Sequence, residues 1–121
     1  MNALRVADLF CGAGGLSLGF RDADFDLKFS ADNDFDSVET YRANLGAHVH
    51  QLDLSKGSAS SLAAMISTAV GDIDVLVGGP PCQGFSMAGK RVEEDIRNNL
   101  VFSYIKFIDL VRPKIILFDE P

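Results

Sequence analysis

The chain has 121 residues, 47% hydrophobic and 23% charged, and a formal net charge of −6. That length and balance predict a single globular domain over residues 1–121 with a sizeable core, and they exclude a disordered chain. The acidity argues against a free-standing nucleic-acid binder, because phosphate neutralisation dominates such affinity.

No apolar run approaches the roughly 18 residues of a membrane span. Met1 to Arg5 leads straight into a strand pattern without the apolar core of a signal peptide. The expectation is a cytosolic protein with no membrane partner.

In chain order, Leu4 to Phe10 reads as a first strand, followed by the turn Cys11-Gly12-Ala13-Gly14-Gly15 and a short helix through Phe20. Leu27 to Ala31 is a second strand. Asp34 to Leu45 carries Phe35, Val38, Tyr41 and Leu45 at helical spacing, with Gly46 where a helix would stop. His48 to Leu52 is a weaker third strand, in which alternation would put His48 and His50 on one side. A zinc site there would need two further ligands, and neither Cys11 nor Cys82 stands in metal-ligand spacing, so these histidines read as surface or edge residues and no metal is expected.

Ser58 to Val70 is predicted helical, with Leu62, Met65, Ile66 and Ala69 on one face and Gly71 as terminator. Ile73 to Val77 is the fourth strand and delivers the loop Gly78-Gly79-Pro80-Pro81-Cys82-Gln83-Gly84-Phe85-Ser86. Asn98 to Val111 places Val101, Tyr104, Ile105, Ile108 and Val111 on one helical stripe, ended by Pro113. Ile115 to Phe118 is the fifth strand. Strands alternating with helices imply an α/β, doubly wound, mostly parallel sheet, expected in the order 3-2-1-4-5.

Three features fall at the carboxyl ends of strands, the edge where such sheets bind ligands. Asp8-Leu9-Phe10-Cys11-Gly12-Ala13-Gly14-Gly15 joins a strand through a glycine-rich turn to a helix start, and so brings backbone N–H groups near a nucleotide-like molecule. It does not fit GxGxxG, because Ser17 stands where the third glycine would be. Asp32 ends the second strand 20 residues beyond Gly12, the place of a ribose-binding carboxylate. Asn33 and Asp34 are available to cap the next helix, which leaves Asp32 for a ligand. Asp53, after the third strand, is a similar candidate for an adenine amino group.

Cys82 is the third feature. Two prolines fix backbone φ angles and the flanking glycines allow close approach, so the loop presents the thiol in a preset shape suited to a nucleophile. In the expected order the glycine turn and this loop leave neighbouring strands and converge on one crevice. Cys11 and Cys82 leave the same edge, so within disulfide reach they would oxidise when the pocket is empty, and beyond it they would stay free thiols.

These residues resemble the amino-terminal catalytic half of DNA cytosine-5 methyltransferases over essentially the whole chain. The first loop is similar to that family's S-adenosylmethionine turn and the second to its nucleophile loop. The match continues through Ala88-Gly89-Lys90-Arg91, Asp95, Arg97, Asn98 and Leu100.

The resemblance implies a Rossmann-like S-adenosylmethionine-dependent methyltransferase fold, incomplete in this chain, with Cys82 adding to carbon 6 of a flipped-out cytosine. It implies cofactor contacts from Phe10, Cys11, Gly12, Gly14, Gly15, Asp32, Asn33, Asp53, Leu54, Pro80 and Leu100. DNA or substrate contacts are implied for Pro81, Gln83, Ser86, Lys90, Arg91 and Arg97, the cations lying on a loop that closes over the base.

Two departures accompany the match. Where the family has Glu-Asn-Val after the fifth strand, this chain has Asp119-Glu120-Pro121, so Asp119 aligns with the catalytic Glu and has a shorter reach. A one-residue shift reverses the facing side, so Glu120 does not replace it. The target-recognition domain and the carboxy-terminal pocket helix of the family also lie beyond the matched residues. The expectation is a fragment, a truncated gene product or one subunit of a split enzyme, working with a carboxy-terminal half on double-stranded DNA in the bacterial cytoplasm or at the nucleoid. The competing reading is a catalytically silent S-adenosylmethionine-binding subunit. A nicotinamide oxidoreductase rests on the alternating fold alone and is disfavoured by the glycine pattern.

Overall fold

A computed structural model of the chain describes residues 3–54, 59–79, 102 and 104–118. β1 (Arg5–Leu9) leads through the glycine turn to α1 (Gly15–Asp22), and β2 (Asp26–Asp32) leads to α2 (Phe35–Leu45). β3 (Val49–Gln51) is followed by α3 (Ala59–Val70) and β4 (Val75–Gly78). A helix described over residues 104–111, α4, precedes β5 (Ile115–Phe118). The five strands form one sheet in the order β3-β2-β1-β4-β5. Every pairing is parallel.

This is the doubly wound α/β arrangement expected from the alternation of strands and helices. Parallel neighbours need crossover connections, and the helices in those connections cover the sheet, so the central strands can be apolar on both faces. Accordingly Val6, Ala7, Leu9, Val75, Leu76 and Val77 are at most 2% exposed. Side chains alternate between the faces. Val6, Val75 and Val77 pack with Leu16 and Phe20 of α1. Ala7, Leu9 and Leu76 pack on the other face with Ile66 of α3 and with Tyr104 and Phe107 of α4.

The helix ends follow the local chemistry. Asp34 caps α2 by accepting from the Ser37 amide at 3.0 Å and the Ser37 hydroxyl at 2.7 Å. Those bonds favour the carboxylate and hold the Asp34 pKa below its ordinary value. Gly46 and Gly71, both at positive φ, follow α2 and α3, where the sequence places their stops.

Three details depart from the sequence reading. On α3 the inward stripe is Ile66 with Ala59, Leu62, Ala63 and Val70, while Met65 is 42% exposed and Ala69 lies on the exposed side. Both stripes have helical spacing, and only the position of the sheet selects between them. On α4, Phe107 is buried in the core while Ile105 points outward at 52% exposure, and Val101 lies outside the described residues.

The third strand is shorter than expected, and His48 precedes it in a turn, so alternation does not align the two histidines. His48 Nε2 is 2.7 Å from the Tyr41 hydroxyl. His50 stacks on the ring of Phe29 at 4.6 Å between centroids. Among the described residues no group of three or more His, Cys, Asp or Glu side chains could hold a metal ion. No helix among them is long and apolar enough to cross a membrane.

Candidate active site

The site is built outward from the end of β1. Leu9 pairs with Ala31 of β2 on one side and with Gly78 of β4 on the other. The Cys11 amide then donates to the Ala31 carbonyl at 3.0 Å, which carries the β1–β2 pairing past the strand and into the turn. The two loops singled out in the sequence therefore leave adjacent strands at one edge. Phe118 pairs with Gly78, so the residue before Asp119 stands in register with the end of the strand that delivers the cysteine loop. Pro80, Pro81, Cys82, Gln83, Ser86, Lys90, Arg91, Arg97, Leu100 and Asp119 lie outside the described residues.

The turn reverses sharply, with positive φ at Phe10 (60°), Gly12 (58°) and Gly14 (104°). For a residue with a side chain that geometry costs energy, and such strain concentrates at functional sites. Phe10 bears it while its ring packs near Tyr104, with centroids 6.3 Å apart.

A Cβ built on Gly12 or Gly15 would meet nothing within 4 Å, so open space lies before this backbone. Gly14 serves a different purpose. A Cβ there would lie 2.7 Å from Cδ2 of Tyr41 and would collide with Leu45, so this glycine lets the turn lie directly on α2. No side chain caps the amino end of α1, and its first turn carries no acidic residue. Its leading amides therefore have no side-chain cap, and the amides and dipole at such a helix end favour an electron-rich ligand group.

Asp32 is not left wholly for a ligand, as the sequence suggested. Its Oδ2 accepts from the Gly12 amide at 2.9 Å and its Oδ1 from the Asp34 amide at 2.9 Å. Each carboxylate oxygen has a second lone pair, so Asp32 anchors the turn and keeps acceptor capacity toward a sugar hydroxyl. Asn33 is exposed beside it, and its carbonyl accepts from Gln51 Nε2 at 3.2 Å. The Leu52 amide donates to the Asp32 carbonyl at 3.0 Å, carrying β3 toward Asp53 and Leu54. Leu54 packs partly buried against the core under α3, whereas Asp53 is half-buried.

Residues that fit a nucleoside-bearing cofactor, Gly12, Gly15, Asp32, Asn33 and Asp53, thus lie at or just beyond the ends of three adjacent strands. The open glycine backbone and the acceptor at Asp32 suit S-adenosylmethionine.

Cys11 is buried at 9% exposure. Burial, with the Asp8 and Asp32 carboxylates adding to it, pushes its pKa up to about 12. A protonated thiol of this kind is a small apolar filler, so its contribution to the crevice is packing.

Residues that sequence reasoning passed over complete the support of the turn. Buried Asp8 accepts from the Ser17 hydroxyl at 2.6 Å, so the residue that breaks the GxGxxG pattern ties α1 to β1. Tyr104 is 4% exposed and lies over Gly78, where an added Cβ would be 2.7 Å from Cζ. Its hydroxyl is buried without a hydrogen-bond partner among the described residues. Burial and the Asp8 carboxylate keep that hydroxyl protonated by raising its pKa. The signal for Ser17 was its place in a glycine-rich turn. Tyr104 offered only a position on an apolar stripe.

Comparison with known proteins gives the family and the fold. The C-5 cytosine-specific DNA methylase family matches residues 4–119. The Type II methyltransferase M.AgeI of Thalassovita gelatinovora is 38% identical over 97% of this chain and 28% of its own length. The Type II methyltransferase M.HgiGI of Herpetosiphon aurantiacus is 37% identical over 97% of this chain and 90% of its own. Among solved structures, a candidate DNA modification methyltransferase from an E. coli prophage superposes with a TM-score of 0.72 at 33% identity, over 92% of this chain and 30% of that one. The S. pombe Dnmt2 methyltransferase shares the fold, with a TM-score of 0.69 at 21% identity, over 95% of this chain and 34% of that one. The chain therefore spans less than two fifths of the length of most of these relatives. It belongs to the C-5 cytosine-specific DNA methylase family.

Proposed function

We propose that this chain is the cofactor-binding and nucleophile-bearing part of an enzyme that transfers a methyl group from S-adenosylmethionine to carbon 5 of cytosine in double-stranded DNA. The observation that carries the reading is the placement of β1 between β2 and β4. Leu9 is in register with both Ala31 and Gly78, so the glycine turn and the start of the Gly79-Pro80-Pro81-Cys82 loop share one edge. A methyl donor over Gly12 and Gly15 would then lie beside a base held at Cys82.

Cytosine carbon 5 is too weak a nucleophile to attack a sulfonium directly. Addition of the Cys82 thiolate to carbon 6 of the extruded base moves the ring electrons onto carbon 5. When bound, S-adenosylmethionine supplies the electrophilic methyl group. Carbon 5 would take up that methyl group, the methyl–sulfur bond breaking with its electron pair left on sulfur. Loss of the carbon 5 proton to a base and departure of Cys82 from carbon 6 restore the aromatic ring. Asp119 is assigned to the ring nitrogen edge, where hydrogen bonding favours addition at carbon 6.

In this reading Phe10, Gly12, Gly14, Gly15, Asp32, Asn33, Asp53, Leu54, Pro80 and Leu100 line the cofactor side, with Cys11 packed beneath. Pro81, Gln83, Ser86, Lys90, Arg91 and Arg97 serve the base and the phosphates. Work on chromosomal DNA would place the protein in the bacterial cytoplasm, at the nucleoid.

In this reading a further methyltransferase segment covers the β5 edge. Ile115, Ile116, Leu117 and Phe118 are each between 41% and 52% exposed, as is Ile105 of α4 at 52%. An apolar edge strand open on both faces is a surface that proteins normally cover. A carboxy-terminal methyltransferase segment, in the same chain or as a second subunit, is the occupant we assign. The second reading is a catalytically silent cofactor-binding subunit, favoured by Asp119 in place of the family's Glu.

The test mixes the chain with a carboxy-terminal segment from a Type II relative, S-adenosylmethionine and a duplex containing 5-fluorocytosine. Fluorine cannot leave as a proton would, so the base is trapped on the enzyme. A covalent adduct that disappears with Cys82→Ser supports the transferase. S-adenosylmethionine binding without any adduct favours the silent subunit.

A further inference from the structure

The buried polar groups beneath the glycine turn belong to no step of the reaction above, yet they meet at one side chain. Tyr41, on α2, has no exposed surface. Its ring lies where a side chain on Gly14 would have to go, so the turn rests on the face of this ring. Its hydroxyl is 2.6 Å from the Ser30 hydroxyl of β2 and 2.7 Å from His48 Nε2 in the turn before β3. Burial raises the Tyr41 pKa, with Ser17 of α1 and Ser30 working against it. Ser17 in turn donates to Asp8 of β1.

A ring packed only by apolar contacts could slide along its neighbours, because such contacts are non-directional. Hydrogen bonds to two separate elements fix its height and tilt. The turn inherits that position, since Gly14 has no side chain with which to hold itself.

We propose that Tyr41 is the positioning residue of the cofactor turn: its ring is the floor of Gly14, and its hydroxyl, held by Ser30 and His48, sets where the Gly12–Gly15 backbone stands. The consequence for the cofactor rests on the reading of this turn as the S-adenosylmethionine site. The positioning role itself does not.

Amide exchange and chemical shifts of Gly12, Gly14 and Gly15 in the ligand-free chain test it, comparing wild type, Tyr41→Phe and Ile66→Val. The last variant loosens the core under α3 and leaves the Tyr41 ring and its hydrogen bonds in place. The expected result is that Tyr41→Phe shifts the glycine amide signals and speeds their exchange by about tenfold or more, in keeping with loss of a buried bond. Ile66→Val should leave them in place at equal loss of melting temperature. Glycine signals that move equally in both variants, or in neither, would overturn the proposal. Should Tyr41→Phe fail to fold, His48→Ala removes one bond and keeps the ring, and the same comparison decides.

Titration with S-adenosylmethionine separates the two claims. Weaker binding in Tyr41→Phe supports both. Wild-type chain whose glycine signals ignore the cofactor defeats the cofactor reading, while the exchange comparison still decides the role of Tyr41.

Discussion

The Gly12 amide donates to the Asp32 carboxylate at 2.9 Å, across 20 residues of sequence, and the second oxygen of the same carboxylate accepts from the Asp34 amide. One side chain thus joins the glycine turn to the end of β2 and to the start of α2. Asp32→Ala should leave two backbone donors without their acceptor and lower stability by about 1–3 kcal/mol. Asp32→Asn should cost less, because its amide oxygen can serve one donor while its NH2 faces the other. Urea denaturation orders the three proteins, and S-adenosylmethionine affinity should fall in the same order.

Glycines in and after the turn should respond in opposite directions. Gly14→Ala meets both an unfavourable φ of 104° and the ring of Tyr41, so it should lower stability by about 1–3 kcal/mol. Gly19 lies within α1 with nothing near its missing Cβ. Gly19→Ala should raise stability by about 0.5–1 kcal/mol through helix propensity. Thermal melts of the two variants should move to opposite sides of wild type.

Cys11 should behave as an unreactive thiol. With its pKa raised to about 12 by burial and by the Asp8 and Asp32 carboxylates, almost none of it is thiolate near pH 8, and thiolate is the species that alkylates or oxidises. Iodoacetamide followed by peptide mass spectrometry should find Cys11 unmodified in the native chain and modified after unfolding. Rapid native labelling of Cys11 would contradict its placement. The same protonation opposes air oxidation to a disulfide, whose other cysteine, Cys82, lies outside the described residues.

Acid should destabilise the chain through its histidines. Burial first, then the neighbouring charge of His50, holds the His48 pKa below 6.5, with Asp26 opposing. Burial and Arg42 lower His50 in the same way. The folded state therefore binds these protons less readily than the unfolded state. Their contribution is complete above the unfolded pKa of about 6.5 and is lost as pH falls through the lower folded values. Melting temperature should fall between about pH 7 and pH 5, and His48→Gln with His50→Gln should flatten that slope.

Strand order, the edge that carries the site and the capping of α2 by Asp34 were legible because they follow from alternation and local chemistry. The α3 stripe was misassigned because Met65 and Ala69 recur with the same period as Leu62, Ile66 and Val70, and only the sheet tells the two faces apart. The double engagement of Asp32 was illegible for a related reason. A carboxylate at a strand end satisfies backbone donors as readily as a ribose, and which donors lie in reach depends on how the turn folds back. Tyr41 read as one apolar position among four, since its hydroxyl partners Ser30 and His48 are 11 and 7 residues away on other elements.

The central claim is that the crevice over Gly12, Gly15, Asp32 and Asp53 holds the methyl donor beside the strand that delivers Cys82. Mapping amide chemical shifts during titration with S-adenosylmethionine tests this most directly. The account predicts saturable shifts at Gly12 to Leu16, Asp32 to Asp34 and Asp53 to Leu54, weakened by Asp32→Ala. Saturable binding that leaves those amides in place and moves residues elsewhere would contradict it.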